Sequence, residues 1–176
     1  TGRGRLLQVA LADVAIAVLG HLGHIGEVTI NGVDRPRYGN YLYGAFGRDF
    51  VTADGRRVMM AAITPRQFRG VVEATGTGEA MTALEANLGH RLKSDGDLFA
   101  ARREIAAVLE DWFAVTPFEE VARRFDDHRV LWGPYQTVQE LIENDPRAST
   151  ANPMLCEVDQ PGIGKLLAPG LPIDVG

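Results

Sequence analysis

The sequence predicts a protein of the α/β to α+β class, with a small α+β domain that carries a piece of a second, larger domain at each end. Three observations lead to this prediction. An apolar segment suited to a strand and a helix opens the chain, a β-hairpin signature lies near residue 54, and four or five helical patterns follow between residues 65 and 144. A segment rich in proline and glycine then closes the chain.

Length and composition limit the kinds of protein that this chain can be. With 176 residues, 45% of them hydrophobic, it can bury the core of one domain or one and a half. The net charge of −5 comes from interspersed signs without a basic block, which argues against a nucleic-acid partner. Because Cys156 is the only cysteine, an internal disulfide and a thiolate metal cluster are excluded, and a cytoplasmic location is expected. No apolar run reaches the roughly 20 residues that span a bilayer, so we expect no membrane segment.

Residues 1–30 are predicted to form a strand and a helix of the larger domain. Residues 6–11 are apolar enough for a buried strand, and residues 12–22 suit a helix that ends at the following glycine. Residues 31–48 are predicted to be a crossover loop, because the stretch 23–47 holds six glycines, one proline and three tyrosines.

The small α+β domain, predicted over residues 49–145, is expected to begin with a β-hairpin. The dipeptide Asp54-Gly55 joins two apolar runs and supplies the positive φ angles of a tight turn. We therefore place strands near 49–53 and 56–63. After this domain, residues 146–176 are predicted to be an extended return that lies on the larger domain.

Capping signals and apolar periodicity predict the helices of the small domain. Thr64 and Gln67 have the spacing of an N-cap and its N3 partner, with a proline at the first helical position, which predicts a helix over 65–74. Thr116 repeats this pattern for a helix that ends near Phe125. Further helices are predicted over 79–89, 105–113 and 136–144.

One carboxylate interrupts the opening apolar segment. Between Arg5 and His21 only Gln8 and Asp13 are polar, and Asp13 has apolar residues at every helical contact spacing. As a structural residue, Asp13 would be the N-cap that accepts a backbone N–H. As a functional residue, it would be a carboxylate in an apolar site, kept anionic by the helix dipole and made reactive toward an electrophile by desolvation. Both interpretations can hold at once.

Gly39, Gly44 and Gly47 alternate with aromatic residues just before the hairpin. Such a loop can bring backbone N–H groups close to an oxyanion, but its spacing matches neither G-x-G-x-x-G nor a phosphate-binding G-K-[ST] loop. The alternative is a packed aromatic loop. His21 and His24 lie three residues apart with no third ligand spaced with them, so no metal site is predicted.

Three stretches resemble the family III CoA-transferases, the group of formyl-CoA transferase, carnitine-CoA transferase and α-methylacyl-CoA racemase. TGRGRLLQVALADVA resembles the family's T-G-x-G-Q, apolar strand and active-site Asp at a helix start, and Asp13 matches that Asp. YGAFGRDFVTADGRRVMMAAITPRQF and the tail from WGPYQTV to LLAPGLP resemble its small domain and the return to the large one. Within the family, YGAFGRDF is most similar to the 2-methylfumaryl-CoA isomerases, also called mesaconyl-CoA C1–C4 CoA transferases.

The resemblance implies covalent catalysis by a carboxylate. In the family, the Asp attacks an acyl-CoA thioester to form a mixed anhydride, CoA thiolate departs, and a carboxylate acceptor takes over the acyl or CoA group. Asp13 would then be the nucleophile. Gly39, Gly44 and Gly47 would lie where formyl-CoA transferases have a glycine run that closes over the intermediate, although aromatic residues interrupt that run here. The implied partners are acyl-CoA and carboxylate substrates, with CoA present as a thioester substrate and no bound cofactor.

The resemblance also implies an interlocked homodimer, in which each chain forms a Rossmann-like large domain from both its ends and a small domain between them. Since the chain begins with Thr1 rather than Met, we expect it to be cut from a larger protein and to have no turnover by itself. Two alternatives stay open. Asp13 could be the proton-transfer base of a racemase, paired with a His upstream of Thr1, or only the cap in a non-catalytic helical interaction domain.

Overall fold

The structure, a computed structural model, describes Gly2 and residues 4–171 and divides into two compact units. The first unit extends to Gly39 and the second begins at Asn40, a division within the predicted crossover loop. The first unit contains helices α1 (Leu11–His21) and α2 (His24–Asn31). The second unit contains β1 (Phe46–Val51), β2 (Arg57–Ala62), α3 (Pro65–Thr75), α4 (Gly78–Leu88), α5 (Asp95–Ala100), α6 (Arg102–Val115), α7 (Phe118–Asp127), β3 (Leu131–Pro134), α8 (Val138–Asn144), a 3-10 turn (Pro146–Ala148), β4 (Leu155–Gln160) and β5 (Gly164–Pro169).

The first unit is a pair of helices, and neither α1 nor α2 has a buried residue. α1 confirms the helix predicted over 12–22. The strand predicted over residues 6–11 is wrong, because the described residues there are not in a strand and Leu6 and Leu7 are each 85% exposed. A strand must pair its backbone N–H and C=O groups with a neighbour. The described part of the chain supplies no such neighbour to this segment.

The glycines around α2 lie at the ends of a helix, whereas the sequence predicted an irregular crossover there. Gly23 and Gly32 flank the helix in the left-handed conformation, with φ of +81° and +65°, and Gly32 donates its N–H to Val28 O. Glycine is the residue that adopts this conformation most readily. Glycines that suggested an irregular crossover therefore mark the two ends of a helix.

Within the described residues, no single helix is long and apolar enough to cross a membrane. α1 and α2 together have the necessary length and composition, but they are bent by 63° at their junction.

The second unit is built on a three-stranded antiparallel sheet in the order β1-β2-β3, and helices pack on one of its faces. Phe46 is paired with Ala62, and Phe50 with Val58, and all four are buried. The Phe50 ring stacks on Phe113 of α6 with ring centroids 4.4 Å apart. The helices add further buried apolar side chains to this core, namely Val71, Leu98, Ile105, Leu109, Val121 and Phe125.

The predicted hairpin is confirmed, although β1 begins at residue 46 rather than 49. Thr52 donates its N–H to Arg56 O at 2.8 Å, and Gly55 donates its N–H to Thr52 O at 2.9 Å. Gly55 has a φ of +79°. A three-residue loop that ends in a left-handed glycine is a common hairpin connection, and it explains why the Asp-Gly pair marks this turn.

One of the two predicted helix caps is present. Thr64 accepts the Gln67 N–H, and the Gln67 side chain accepts the Thr64 N–H, so the box at the start of α3 is confirmed. Thr116 does not cap α7, because its hydroxyl donates to Trp112 O at 2.6 Å at the end of α6.

Asp54 of the hairpin turn takes the place of a local cap on α7. Its Oδ1 accepts the Phe118 N–H at 3.1 Å, across 64 residues of sequence. The same oxygen accepts the Thr52 hydroxyl. These two hydrogen bonds hold the pKa of Asp54 below its usual value, and the bond from Thr52 lowers that pKa more than the bond from Phe118. The hairpin turn is thereby hydrogen-bonded to the start of a helix that is distant in sequence.

The return segment departs from the extended chain that was predicted. Within its described residues, β4 and β5 form an antiparallel hairpin in which Leu155 pairs with Pro169 and Gln160 with Gly164. Gly162 and Gly164 have positive φ and permit the reversal between them. Pairing satisfies backbone groups that an isolated extended segment would leave to solvent. Residues 172–176 of the predicted return, and Thr1 and Arg3 at the other end, lie outside the described residues.

The helices predicted for the small domain are confirmed by α3, α4, α6, α7 and α8, while α5 and β3 were not predicted.

Replacing Thr64 with Ala should lower the free energy of unfolding by about 1 kcal/mol, because the first turn of α3 loses its side-chain acceptor. The measurement is urea unfolding followed by circular dichroism. Thr82→Ala is the matched control: Thr82 is exposed within α4, and alanine is the better helix former there. Equal unfolding free energies for the two variants would contradict the cap.

Candidate active site

Asp13 lies in the first turn of α1, but it is not the N-cap. Ala10 occupies the cap position with extended backbone angles, and no side chain caps the helix. The N-cap interpretation is therefore wrong. Leu11 and Ala12 are strong helix formers, and the helix begins with them, so Asp13 becomes the third helical residue.

The position of Asp13 nevertheless suits an anionic side chain. The backbone N–H groups of the first helical turn have no acceptor within a helix and carry a partial positive charge. Asp13 is the acidic residue of that turn in α1. Its neighbours Val14 and Ile16 are apolar and exposed. The local arrangement is a carboxylate at the positive end of a helix, set in an apolar surface.

The three predicted loop glycines occupy two different environments. Gly39 and Gly44 have φ of +65° and +78°, and a Cβ on either would meet no atom within 4 Å. Gly47 is buried within β1, where a Cβ would lie 3.0 Å from Met60 O and 3.2 Å from Ala61 Cα. Close packing of β1 against β2 thus accounts for Gly47. Gly39 and Gly44 lie in two separate exposed turns, and the oxyanion role of the three glycines stays a prediction.

Asp49 of β1 accepts a hydrogen bond from the residue after Gly39. This aspartate was not among the residues predicted from the sequence. The Asp49 side chain is 5% exposed. Its Oδ1 accepts from Asn40 Nδ2 at 3.0 Å, and its Oδ2 pairs with the Arg57 guanidinium. Burial acts to raise the pKa of Asp49, but the bonds from Asn40 and Arg57 outweigh it and hold that pKa below its usual value. Two adjacent charges inside the apolar FGRDFV run were the signal available in the sequence.

Arg48, the other charge in that run, contacts the same loop. Its Nη1 lies 3.1 Å from the Tyr41 hydroxyl and 2.8 Å from a Glu110 carboxylate oxygen. Its guanidinium also lies over the Tyr41 ring, 5.1 Å from the centroid. The Leu42 N–H donates to Gly47 O at 2.8 Å. Residues 40–42 are therefore held to β1 at each position.

The described part of the chain offers no group of three or more His, Cys, Asp or Glu side chains that could hold a metal ion. His21 ends α1 and His24 begins α2. Cys156 is exposed on β4, and its Sγ lies 3.8 Å from Ala168 O.

The sequence model of the family described as CoA-transferase family III matches residues 1–176, so the chain belongs to that family. The family resemblance and the fold class predicted from the residues are both confirmed. The chain is 55% identical over 174 residues to 2-methylfumaryl-CoA isomerase of Chloroflexus aurantiacus, covering 99% of this chain and 42% of that protein. It is 25% identical over 176 residues to succinyl-CoA–L-malate CoA-transferase alpha subunit of the same organism, covering 97% of this chain and 38% of that protein.

Two solved structures share the fold. A CAIB/BAIF family protein from Brucella suis superposes with a TM-score of 0.67 at 21% identity, over 98% of this chain and 42% of that one. Rv3272 from M. tuberculosis gives a TM-score of 0.68 at 16% identity, over 99% of this chain and 42% of that one. The chain thus spans about two fifths of the length of the relatives it matches.

Gly47→Ala should lower the free energy of unfolding by roughly 1–3 kcal/mol, because the atoms its Cβ would meet include the backbone of β2. Gly44→Ala has open space and should cost about 1 kcal/mol, from the positive φ alone. Denaturant unfolding of both variants checks this order. A smaller loss for Gly47→Ala than for Gly44→Ala would contradict the packing role.

Asp49→Asn should be less stable than the wild type at pH 7, and the difference should shrink as the pH falls. Because the pKa of Asp49 is lowered in the folded protein, its contribution is present above the unfolded value of about 4 and is lost as the pH falls through the folded value. The measurement is unfolding of both proteins between pH 7 and pH 2. A difference that does not change with pH would refute the charged pairing.

Proposed function

We propose that the complete protein is a CoA-transferase-type enzyme that moves CoA between carboxyl groups through a covalent intermediate on Asp13. The observation that carries this proposal is the match of the whole chain to CoA-transferase family III, together with an acidic residue in the first turn of α1. The 55% identity to 2-methylfumaryl-CoA isomerase supports the finer proposal that donor and acceptor carboxyl groups belong to one dicarboxylate. An isomerase leaves composition unchanged, so CoA would move between two carboxyl groups of the same substrate.

The proposed chemistry begins with attack of the Asp13 carboxylate on the thioester carbonyl carbon. The C–S bond breaks, CoA leaves as a thiolate, and an acyl anhydride of Asp13 remains. The thiolate then attacks the Asp13 carbonyl carbon of this anhydride, which gives a thioester on Asp13 and releases the substrate carboxylate. The second carboxylate of the substrate attacks that thioester and expels the thiolate again. The thiolate finally attacks the substrate carbonyl carbon, and the Asp13 carboxylate is regenerated.

Each of these attacks places negative charge on a carbonyl oxygen. Backbone N–H groups are suitable donors for such an oxyanion when they are held in position before the reaction. Gly39 and Gly44 are our candidate positions for these donors, because each leaves space for close approach of a ligand. Asp13 is the nucleophile of the first attack, and the N–H groups of the first helical turn favour negative charge near its position.

The surface of the first unit supports the proposal that this chain acts as part of a larger assembly. Among the described residues of α1 and α2 none is buried, and their apolar side chains remain exposed. Contiguous exposed apolar surface is characteristic of protein interfaces. We propose that the rest of the large domain and a second subunit of a homodimer cover it, and that the acyl-CoA substrate binds only to the complete protein.

The complete protein with Asp13→Asn should lose roughly three orders of magnitude or more in kcat for isomerisation of 2-methylfumaryl-CoA, because the amide is not a nucleophile. Turnover is measured by chromatography of the CoA esters. Mass spectrometry of the wild type during turnover should find the Asp13 peptide as an acyl or CoA adduct. Asp111→Asn, an exposed carboxylate on α6, is the matched control and should keep wild-type kcat.

Two other outcomes would replace this proposal. Isotope exchange at the substrate α-carbon without CoA exchange would show racemase-type proton transfer by Asp13. Full activity of Asp13→Asn would show that the residue is not the nucleophile.

A further inference from the structure

We infer that Asn40 is a positioning residue of the candidate oxyanion loop, and that it fixes the loop backbone through its hydrogen bond to the buried Asp49. This inference rests on the proposed function, which gives an oxyanion role to the loop that Asn40 begins. It concerns how the loop is held in place.

The two oxygens of the Asp49 carboxylate have different partners. Oδ1 accepts from Asn40 and Oδ2 pairs with Arg57. The pair with Arg57 joins β1 to β2 and belongs to the sheet. The bond from Asn40 joins β1 to the segment that precedes it. One buried carboxylate thus serves the stability of the sheet with one oxygen and the position of the loop with the other.

The Asn40 side chain, on an exposed loop residue, donates to a carboxylate whose burial is energetically unfavourable. Removing an ionised carboxylate from water is unfavourable unless the group is paired and hydrogen-bonded. Arg57, whose side chain is 51% exposed, already provides the charge partner of Asp49. The additional donor comes from Asn40, an exposed residue next to Gly39 whose side chain contributes nothing to the apolar core. Its contact is therefore better explained by the position of the loop than by packing.

The loop combines a fixed base with open space at Gly44. Asn40, Tyr41 and Leu42 each bond to a residue of β1. At the tip, the Tyr43 ring packs edge-to-face on Phe99 with centroids 5.2 Å apart, and Gly44 has no atom near the position of a Cβ. A fixed base lowers the reorganisation needed when a ligand approaches the tip, which is the condition for effective oxyanion stabilisation by backbone N–H groups.

Two substitutions in the complete protein separate positioning from stability. Asn40→Ala leaves Oδ1 of the buried Asp49 without its donor and frees the loop, so Tm should fall and kcat should fall by roughly tenfold while KM stays near wild type. Thr64→Ala is the stability control, because it removes the cap of α3 and leaves the loop bonds intact, so Tm should fall while kcat stays near wild type. The substrate is 2-methylfumaryl-CoA, and kcat, KM and Tm are measured for both variants.

Asn144→Ala is the matched control, because the Asn144 amide donates to the carbonyl of Glu140 in its own helix, away from the loop in sequence. It should leave kcat unchanged. The inference is overturned if Asn40→Ala retains wild-type kcat, or if Thr64→Ala loses as much kcat as Asn40→Ala, which would assign the effect of Asn40 to stability alone. Full activity of Asp13→Asn defeats the proposed function and this inference with it. Full activity of Asn40→Ala beside an inactive Asp13→Asn defeats the inference alone.

Discussion

Antiparallel pairing of β1 with β2 places Phe46 and Phe50 on the core face of the sheet and Gly47 and Asp49 on the opposite face. Because side chains alternate along a strand, a shift of one residue in this register would exchange the two sets. The shift would put the Asp49 carboxylate against the stacked ring of Phe113 and would turn Phe50 away from it. The aromatic core and the anchored loop therefore depend on the same pairing.

Local chemistry in the sequence predicts much of the fold. The cap of Thr64 closes within four residues, and the Asp54-Gly55 turn is equally local, so both could be recognised without knowledge of the rest of the chain. Two of the errors concern segments whose structure depends on distant partners, and residues 6–11, which would need a neighbouring strand, are the first of them. The hairpin of residues 155–169 is a local structure, and its proline and glycine residues were interpreted as an extended tail instead of a turn between two strands. The acceptor at the start of α7 comes from the hairpin turn, 64 residues away, and no local pattern indicates it.

In the candidate site, too, the sequence indicates some residues, while the surroundings of others are visible only in the folded chain. Asp13 could be recognised because a single carboxylate stands among apolar residues, yet its assignment as a nucleophile came from resemblance to a family. The glycine pattern gave Gly39, Gly44 and Gly47 one predicted role, and it could not separate out Gly47, whose constraint comes from Met60 and Ala61 on the adjacent strand. Asp49 was missed because burial and hydrogen bonding of a charged residue are properties of the folded chain.

The proposed chemistry requires surroundings that Asp13 does not have within the described residues. An acyl anhydride hydrolyses in contact with water, so a covalent route through Asp13 depends on exclusion of solvent. In α1, however, no residue is buried, and the apolar neighbours Val14 and Ile16 are 46% and 56% exposed. The chain spans 42% of its isomerase relative, and under our proposal the covering residues come from the rest of the complete protein or its partner subunit. The contacts that would bury these apolar side chains would also exclude water from the carboxylate, so assembly and catalytic competence would arise together.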